Sequence, residues 1–202
     1  MSGVPILVEG QGLRVLVVGG GLVATRKAKQ FAYAGALVRI VAPELIDDLE
    51  ELVLERNLEV ERRTYVDGDV ADAQIVVAAT NDRLANAAIA RETERENRLL
   101  NAVDLSEDGN FAMMAVHRRG ALTIGVSAGG VPAAATRIRD EIGERFDARY
   151  ADALGDLAAL RRRLLAAGEA DTWRERAALL IDAEFCDAVE RGALAERIAS
   201  WQ

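Results

Sequence analysis

An α/β fold is predicted for the first half of this 202-residue chain, with a different organisation after it. Three observations carry the prediction. The apolar run Val15-Leu16-Val17-Val18 stops at Gly19-Gly20-Gly21, and a helix-compatible segment follows at once. Strand-like and helix-like stretches then alternate from residue 13 to residue 104, the pattern of an open parallel sheet with helices on both faces. Beyond residue 110 the alternation stops: two strands flank Arg118-Arg119-Gly120, one helix follows, and from residue 151 only helical periods appear. The expected division is therefore residues 1–110, 111–150 and 151–202.

Taken in order, residues 5–8 read as a short strand or extended lead-in and Gly10-Gln11-Gly12 as a turn. Residues 13–18 are the first strand. Residues 22–34 read as a helix with Val23, the Lys27 stem, Phe31 and Ala34 on related faces, ended by Gly35. Residues 36–41 are the second strand, and Pro43 opens the next helix near its first turn. That helix repeats Leu45, Leu49, Leu52 and Val53 along one buried stripe. Residues 58–61 are a third strand, Val66-Asp67-Gly68-Asp69 a turn, and residues 74–79 an apolar strand buried on both faces. Thr80-Asn81-Asp82 caps a helix with Leu84, Ala88 and the Arg91 stem on its inner side, and residues 99–103 form a fifth strand ending in Asp104. Residues 111–116 and 121–127 are the strands of a hairpin. Ala128-Gly129-Gly130-Val131-Pro132 breaks the chain, a helix runs over residues 133–150, and the later helices are interrupted near Gly168 and Gly192.

Composition narrows the function classes. A formal net charge of −8 argues against the chain as a whole being a nucleic-acid binder. No apolar run approaches the roughly 20 residues that span a bilayer, and residues 1–8 lack a charged leader followed by a long apolar stretch. Cys186 is the single cysteine and His117 the single histidine, so no internal disulfide and no multi-cysteine or multi-histidine metal site is expected. A cytoplasmic location follows as the default reading. His117 is expected to be solvated beside the Arg118-Arg119 turn, and Cys186, next to Phe185, to pack.

The chemistry-bearing positions cluster at the carboxyl ends of the expected strands, where open α/β sheets bind ligands. Gly19, Gly21 and Ala24 fit the G-x-G-x-x-G/A dinucleotide fingerprint of a Rossmann-type sheet. Gly19 allows the tight turn, Gly21 leaves room for a pyrophosphate, and Ala24 lets helix and strand pack closely, while the helix N-terminus offers free N–H groups to phosphate. After the second strand, Glu44 is placed either on ribose hydroxyls or as a charge complementing a helix dipole; no arginine suited to a 2′-phosphate stands there, which favours NAD over NADP. Thr80 and Asn81 either donate to a cofactor or cap the helix behind them. Asp104 fits either a proton-exchanging acid/base beside the crevice or a cap on the turn into Ser106-Glu107-Asp108.

These residues resemble the siroheme synthase family, in its precorrin-2 dehydrogenase module. The matching marks are Pro5-Ile6, the run from Val18 through Gly19-Gly20-Gly21, Val23-Ala24 and Arg26-Lys27, and Gly35-Ala36. Val41-Ala42-Pro43-Glu44, Ala78-Ala79-Thr80-Asn81-Asp82, Asn101 with Val103-Asp104, and Phe111 follow in order. Arg119-Gly120, Leu122, Ile124, Ser127, Gly129-Gly130, Pro132, Ala133 and Arg137 complete the series over about the first 145 residues. The resemblance implies NAD-dependent oxidation of precorrin-2 to sirohydrochlorin, with ferrochelatase activity in some members. It also implies a Rossmann domain, a small α+β dimerisation segment and a C-terminal helical domain in an intertwined homodimer. Within it Asp104 takes the place of the key aspartate, and the cofactor contacts fall on Leu22, Val23, Pro43 and Glu44. Precorrin-2 carries many carboxylates, so Arg118, Arg119, Arg137 and Arg139, with Ser127, bracket the implied tetrapyrrole segment; the other reading of the four arginines is surface ion pairs, each worth little. Met114 stands where the family commonly has proline, and Ser127-Ala128-Gly129-Gly130-Val131-Pro132 is one residue shorter than the family pattern and lacks two hydroxyls. Two other classes are open on the sequence: a regulatory module that binds NAD without chemistry, and an NAD-dependent oxidoreductase of another small substrate.

Overall fold

The computed structural model describes residues 3–103 and 109–200, which fall into two compact units meeting at Met113 and Met114. In the first unit β1 (Arg14–Val18), α1 (Leu22–Tyr33), β2 (Leu37–Val41), α2 (Asp47–Arg56), β3 (Glu59–Glu61), β4 (Ile75–Ala78), α3 (Arg83–Arg95) and β5 (Leu99–Ala102) follow one another. The five strands are all parallel and lie in the order β3-β2-β1-β4-β5. This is the expected α/β fold. Its order reverses between β1 and β4, the position at which such sheets open a ligand crevice.

The strands are buried on both faces because helices cover both. Val15, Val17, Val38, Ile40, Ile75 and Val77 pack with Ala24, Ala28 and Phe31 of α1 and Leu49 and Leu52 of α2. Leu16, Val18, Val41, Val76, Ala78 and Leu100 form the other face, with Ile89 of α3, Val70 and Ala73. The buried stripe of α1 is thus Ala24, Ala28, Phe31 and Ala32, one position on from the expected Val23 and Lys27.

Two helices begin or face differently from the sequence reading, for identifiable reasons. Residues 43–46 are not helical. The Ile46 N–H donates to Gly20 O at 3.0 Å, so the helix starts only at Asp47, with Asp47, Asp48 and Glu50 in its first turn. Those three carboxylates take the dipole-complementing place considered for Glu44. In α3 the Asp82 carboxylate accepts from Leu84 N at 2.8 Å and Ala85 N at 3.3 Å. Asp82 is thereby the N-cap, and Leu84 is turned outward at 82% exposure. The buried stripe of α3 is Asn86, Ile89, Glu92 and Thr93. Glu92, deeply buried, is satisfied by the Tyr65 hydroxyl and by Gly68 N at 2.7 Å, which ties the β3–β4 connection to α3. Residues 5–8 adopt no strand.

The second unit holds an antiparallel hairpin, β6 (Ala115–Arg119) and β7 (Leu122–Val126), then α4 (Pro132–Arg145), α5 (Ala148–Ala166), α6 (Ala170–Leu180), α7 (Phe185–Glu190) and α8 (Ala193–Ala199). Arg118 and Arg119 lie on β6, and the turn is Gly120-Ala121; residues 111–114 are not part of the strand. Phe111 and Met113 pack instead against the core of the first unit. The expected helix over 133–150 is two helices, because Asp147 caps a new one through Arg149 N at 2.9 Å. His117 is buried at 8% exposure, contrary to the expectation of a solvated ring. Its Nε2 lies 2.7 Å from Phe146 O, a main-chain carbonyl that can only accept, so Nε2 carries the proton. Gly143 leaves room for the ring: a β-carbon there would stand 2.9 Å from Nδ1. Tyr150, Leu157, Leu160, Leu164, Leu180, Val189, Leu194 and Ile198 form the core of this unit. The breaks near Gly168 and Gly192 fall where expected, both glycines having positive φ.

Candidate functional site

The strand register brings three loops to one level of the first unit. Val18 pairs with both Val41 and Ala78, so the chain leaves β1, β2 and β4 side by side. Gly19-Gly20-Gly21, Ala42 to Ile46 and Ala79 to Asp82 therefore line one end of the sheet. Gly19, at φ +130, is wedged against β4: a β-carbon there would stand 2.3 Å from Ala79 O. Gly20 is wedged on the other side, with a β-carbon position 1.9 Å from Glu44 O. Gly21 differs from both. Nothing lies within 4 Å of its β-carbon position, and its φ of −94 needs no glycine. The first two glycines join the loops; the third keeps the space above the helix open.

That open space sits on the N-terminus of α1. Gly21 is the N-cap and provides no side-chain bond, and the first turn carries no acidic residue. Leu22 is exposed, Val23 is half-buried, and Ala24 is fully buried against the sheet. Within the helix, Thr25 Oγ1 donates back to Gly21 O at 3.0 Å. An uncapped 12-residue helix with a side-chain-free approach is suited to an anionic group. Lys27, one turn further on, is partly buried; burial first and the neighbouring Arg26 second hold its ammonium below the usual lysine range.

Pro43 and Glu44 are exposed on the second loop. On the third loop Thr80 is tied to Asn86 by two bonds, Thr80 Oγ1 to Asn86 Oδ1 and Asn86 Nδ2 to Thr80 O, both 2.9 Å. Asn81 is exposed, and Asp82 rather than Thr80 or Asn81 performs the helix capping. Asp104 lies outside the described residues. Sequence reading passed over Gly20 and Asn86. Gly20 occupies a free position of the fingerprint, and Asn86 is a polar residue on a stripe sought among apolar ones.

In the second unit Arg118 and Arg119 are exposed on β6, and Ser127 is exposed directly after β7. Arg137 pairs with Glu141 along α4, and Arg139 Nη2 lies 2.5 Å from Asp140 Oδ1. Among the described residues no cluster of three His, Cys, Asp or Glu side chains is arranged for a metal ion, and no helix is long and apolar enough to cross a membrane.

A parallel sheet with this order, a glycine turn at its switch point and an uncapped helix behind it define a dinucleotide-binding protein. Residues 6–115 match a family model described as "Putative NAD(P)-binding". A precorrin-2 dehydrogenase of Priestia megaterium is 31% identical over 146 residues, 72% of each chain. A siroheme synthase of Azotobacter vinelandii is 35% identical over 207 residues, covering 100% of this chain and 42% of its own length. The solved structure "SirC, precorrin-2 dehydrogenase" superposes with a TM-score of 0.79 at 26% identity, over 98% of this chain and 99% of that one. The chain belongs to the precorrin-2 dehydrogenase family. It spans about two-fifths of the length of the siroheme synthases it matches.

Proposed function

We propose that the chain oxidises precorrin-2 to sirohydrochlorin with NAD, as a homodimer in the cytoplasm. The observation that carries this is the agreement of both units, over nearly their whole length, with a precorrin-2 dehydrogenase structure. The glycine turn fits the cofactor on the geometry of the chain itself, since Gly21 alone of the three glycines opens onto free space. Gly21, Leu22 and Val23 would meet the pyrophosphate, with Gly19 and Ala24 shaping the turn beneath it, Pro43 and Glu44 at the ribose and Thr80 and Asn81 on the opposite lip. Bound NAD supplies a hydride acceptor. The protein's part is to hold substrate and cofactor in line, which is where proximity contributes to such a reaction.

Asp104, which follows β5 in sequence, takes the acid/base role. Residues 111–150 act as the dimerisation and substrate segment and residues 151–202 as the helical domain. Arg118, Arg119, Arg137, Arg139 and Ser127 would meet the substrate carboxylates, which an acidic protein must attract through local positive charge. Incubating the chain with precorrin-2 and NAD while recording the sirohydrochlorin spectrum tests the reading. Asp104→Ala is expected to abolish turnover and leave NAD affinity within about twofold, as for a group acting on the reacting atoms rather than on cofactor binding. Wild-type turnover in that variant removes Asp104 from the mechanism. Light scattering reads the oligomer, and the same incubation with ferrous ion reads any metal insertion.

A further inference from the structure

We infer that Asn86 is a positioning residue for the cofactor: it fixes Thr80 so that the lip after β4 presents main-chain N–H groups, and not the Thr80 hydroxyl, to the dinucleotide. The inference rests on the dinucleotide-binding reading above and assigns a task to a residue that reading does not use.

Asn86 is buried to 7% exposure, and a buried amide is costly unless both its halves are bonded. Both go to a single residue. Thr80 O is a carbonyl and can only accept, so it fixes the NH₂ end of the amide, at 2.9 Å. The remaining Oδ1 then accepts from Thr80 Oγ1, also at 2.9 Å. The same hydroxyl accepts from Asp82 N at 3.1 Å and lies 3.0 Å from Asp82 O. Its one proton is spent inside the turn.

The main chain of the lip is in a different position. Ala79 N donates to Val18 O, Val103 N to Ala78 O and Asp82 N to Thr80 Oγ1, whereas neither Thr80 N nor Asn81 N donates to a described group. Thr80 N is also close to the glycine turn, 3.3 Å from the β-carbon position of Gly19. A displaced Thr80 therefore displaces the lip facing the turn. Helix capping does not account for Asn86, because Asp82 already receives the first free N–H groups of α3.

The test is titration of the full chain with NAD, by calorimetry and by steady-state kinetics, in wild type, Asn86→Leu, Thr80→Val and the double variant. Asn86→Leu and Thr80→Val are each expected to raise the Kd for NAD about tenfold, the order of effect of losing one net hydrogen bond to the cofactor when the lip shifts. The KM for NAD should rise by more than kcat falls. The double variant should be no worse than about twofold beyond Asn86→Leu, because the hydroxyl bond lost in Thr80→Val is one of the two that Asn86→Leu already removes. Thr80→Ser, which keeps the hydroxyl, should stay within about twofold of wild type. A folded Asn86→Leu that binds NAD normally overturns the inference. So does additivity in the double variant, which would mean that the hydroxyl meets the cofactor directly. If Asn86→Leu does not fold, Thr80→Val decides alone, an unchanged Kd overturning the inference. A wild-type chain that binds no NAD overturns the dinucleotide reading as well, and so is distinguishable from failure of the variants.

Discussion

Gly20 lies directly against the Glu44 main-chain carbonyl, and its own carbonyl accepts from Ile46 N at 3.0 Å. The glycine turn and the loop after β2 are thereby one structural piece. Gly20→Ala would place a methyl group 1.9 Å from Glu44 O, and the obstacle is backbone that cannot swing aside. Overpacking of this kind costs about 1–3 kcal/mol. The expected outcome is a lower Tm together with weaker NAD binding, because the loop carrying Pro43 and Glu44 must move. A variant with wild-type Tm would show that the two loops are not held together.

Gly21 predicts the opposite division of effects. Its backbone conformation is ordinary and its β-carbon position is empty, so Gly21→Asp should change folding stability by no more than about 0.5 kcal/mol. The carboxylate would stand at the uncapped N-terminus of α1, where it can bond the free N–H groups in place of a phosphate. Loss of NAD binding with an unchanged melting curve is the expected result. A large drop in Tm would mean that the position serves packing.

The parallel sheet was legible because Val15 to Val18 and Ile75 to Ala78 are continuous apolar runs, buried on both faces, which leaves the strand assignment little freedom. The glycine turn was legible because its residue types are set by close approach. What was not legible depends on contacts distant in the chain. The start of α2 is set by Gly20, 26 positions before Ile46, and the buried face of α3 carries Asn86, Glu92 and Thr93, which hydropathy places outside. Glu92 could be buried only because Tyr65 and Gly68 come to meet it. His117 is the same case, a polar ring whose acceptor is contributed by Phe146 at the corner between two helices.

That corner gives a third prediction. His117→Leu keeps a ring-sized apolar group in place but leaves Phe146 O without its donor, and an orphaned buried acceptor costs about 1–3 kcal/mol. Gly143→Ala should destabilise by a similar route, by pushing a methyl group into the imidazole from 2.9 Å. Both variants are expected to lower the denaturation midpoint, and the double variant should lose less than the sum, since both act through one ring. Exact additivity would place the two effects at separate sites.

The last prediction concerns acid. Arg63 holds Asp69 through two bonds, Nη1 to Oδ2 at 2.8 Å and Nη2 to Oδ1 at 2.6 Å, and Arg39 bonds Glu61 at 2.5 Å. Burial alone would raise the Asp69 carboxyl, but the Arg63 bonds, the Val66 N–H and the two guanidinium charges outweigh it and hold it below the usual range. Glu61 is held low by its bonds to Arg39 first and Arg63 second. A carboxyl whose folded pKa lies below its unfolded value stabilises the fold fully above the unfolded value, about 4, and loses that contribution as the pH falls through the folded one. The sign is therefore fixed: the network helps at neutral pH and fails below about pH 4. Asp69→Asn removes the titrating group and leaves Arg63 with Glu61 as its remaining carboxylate partner in the network. It should lower Tm clearly at pH 7, and the gap to wild type should shrink steadily as the pH is taken from about 5 to about 3. An equal gap across that range would show that Asp69 acts through packing and that the ion pair contributes no pH dependence.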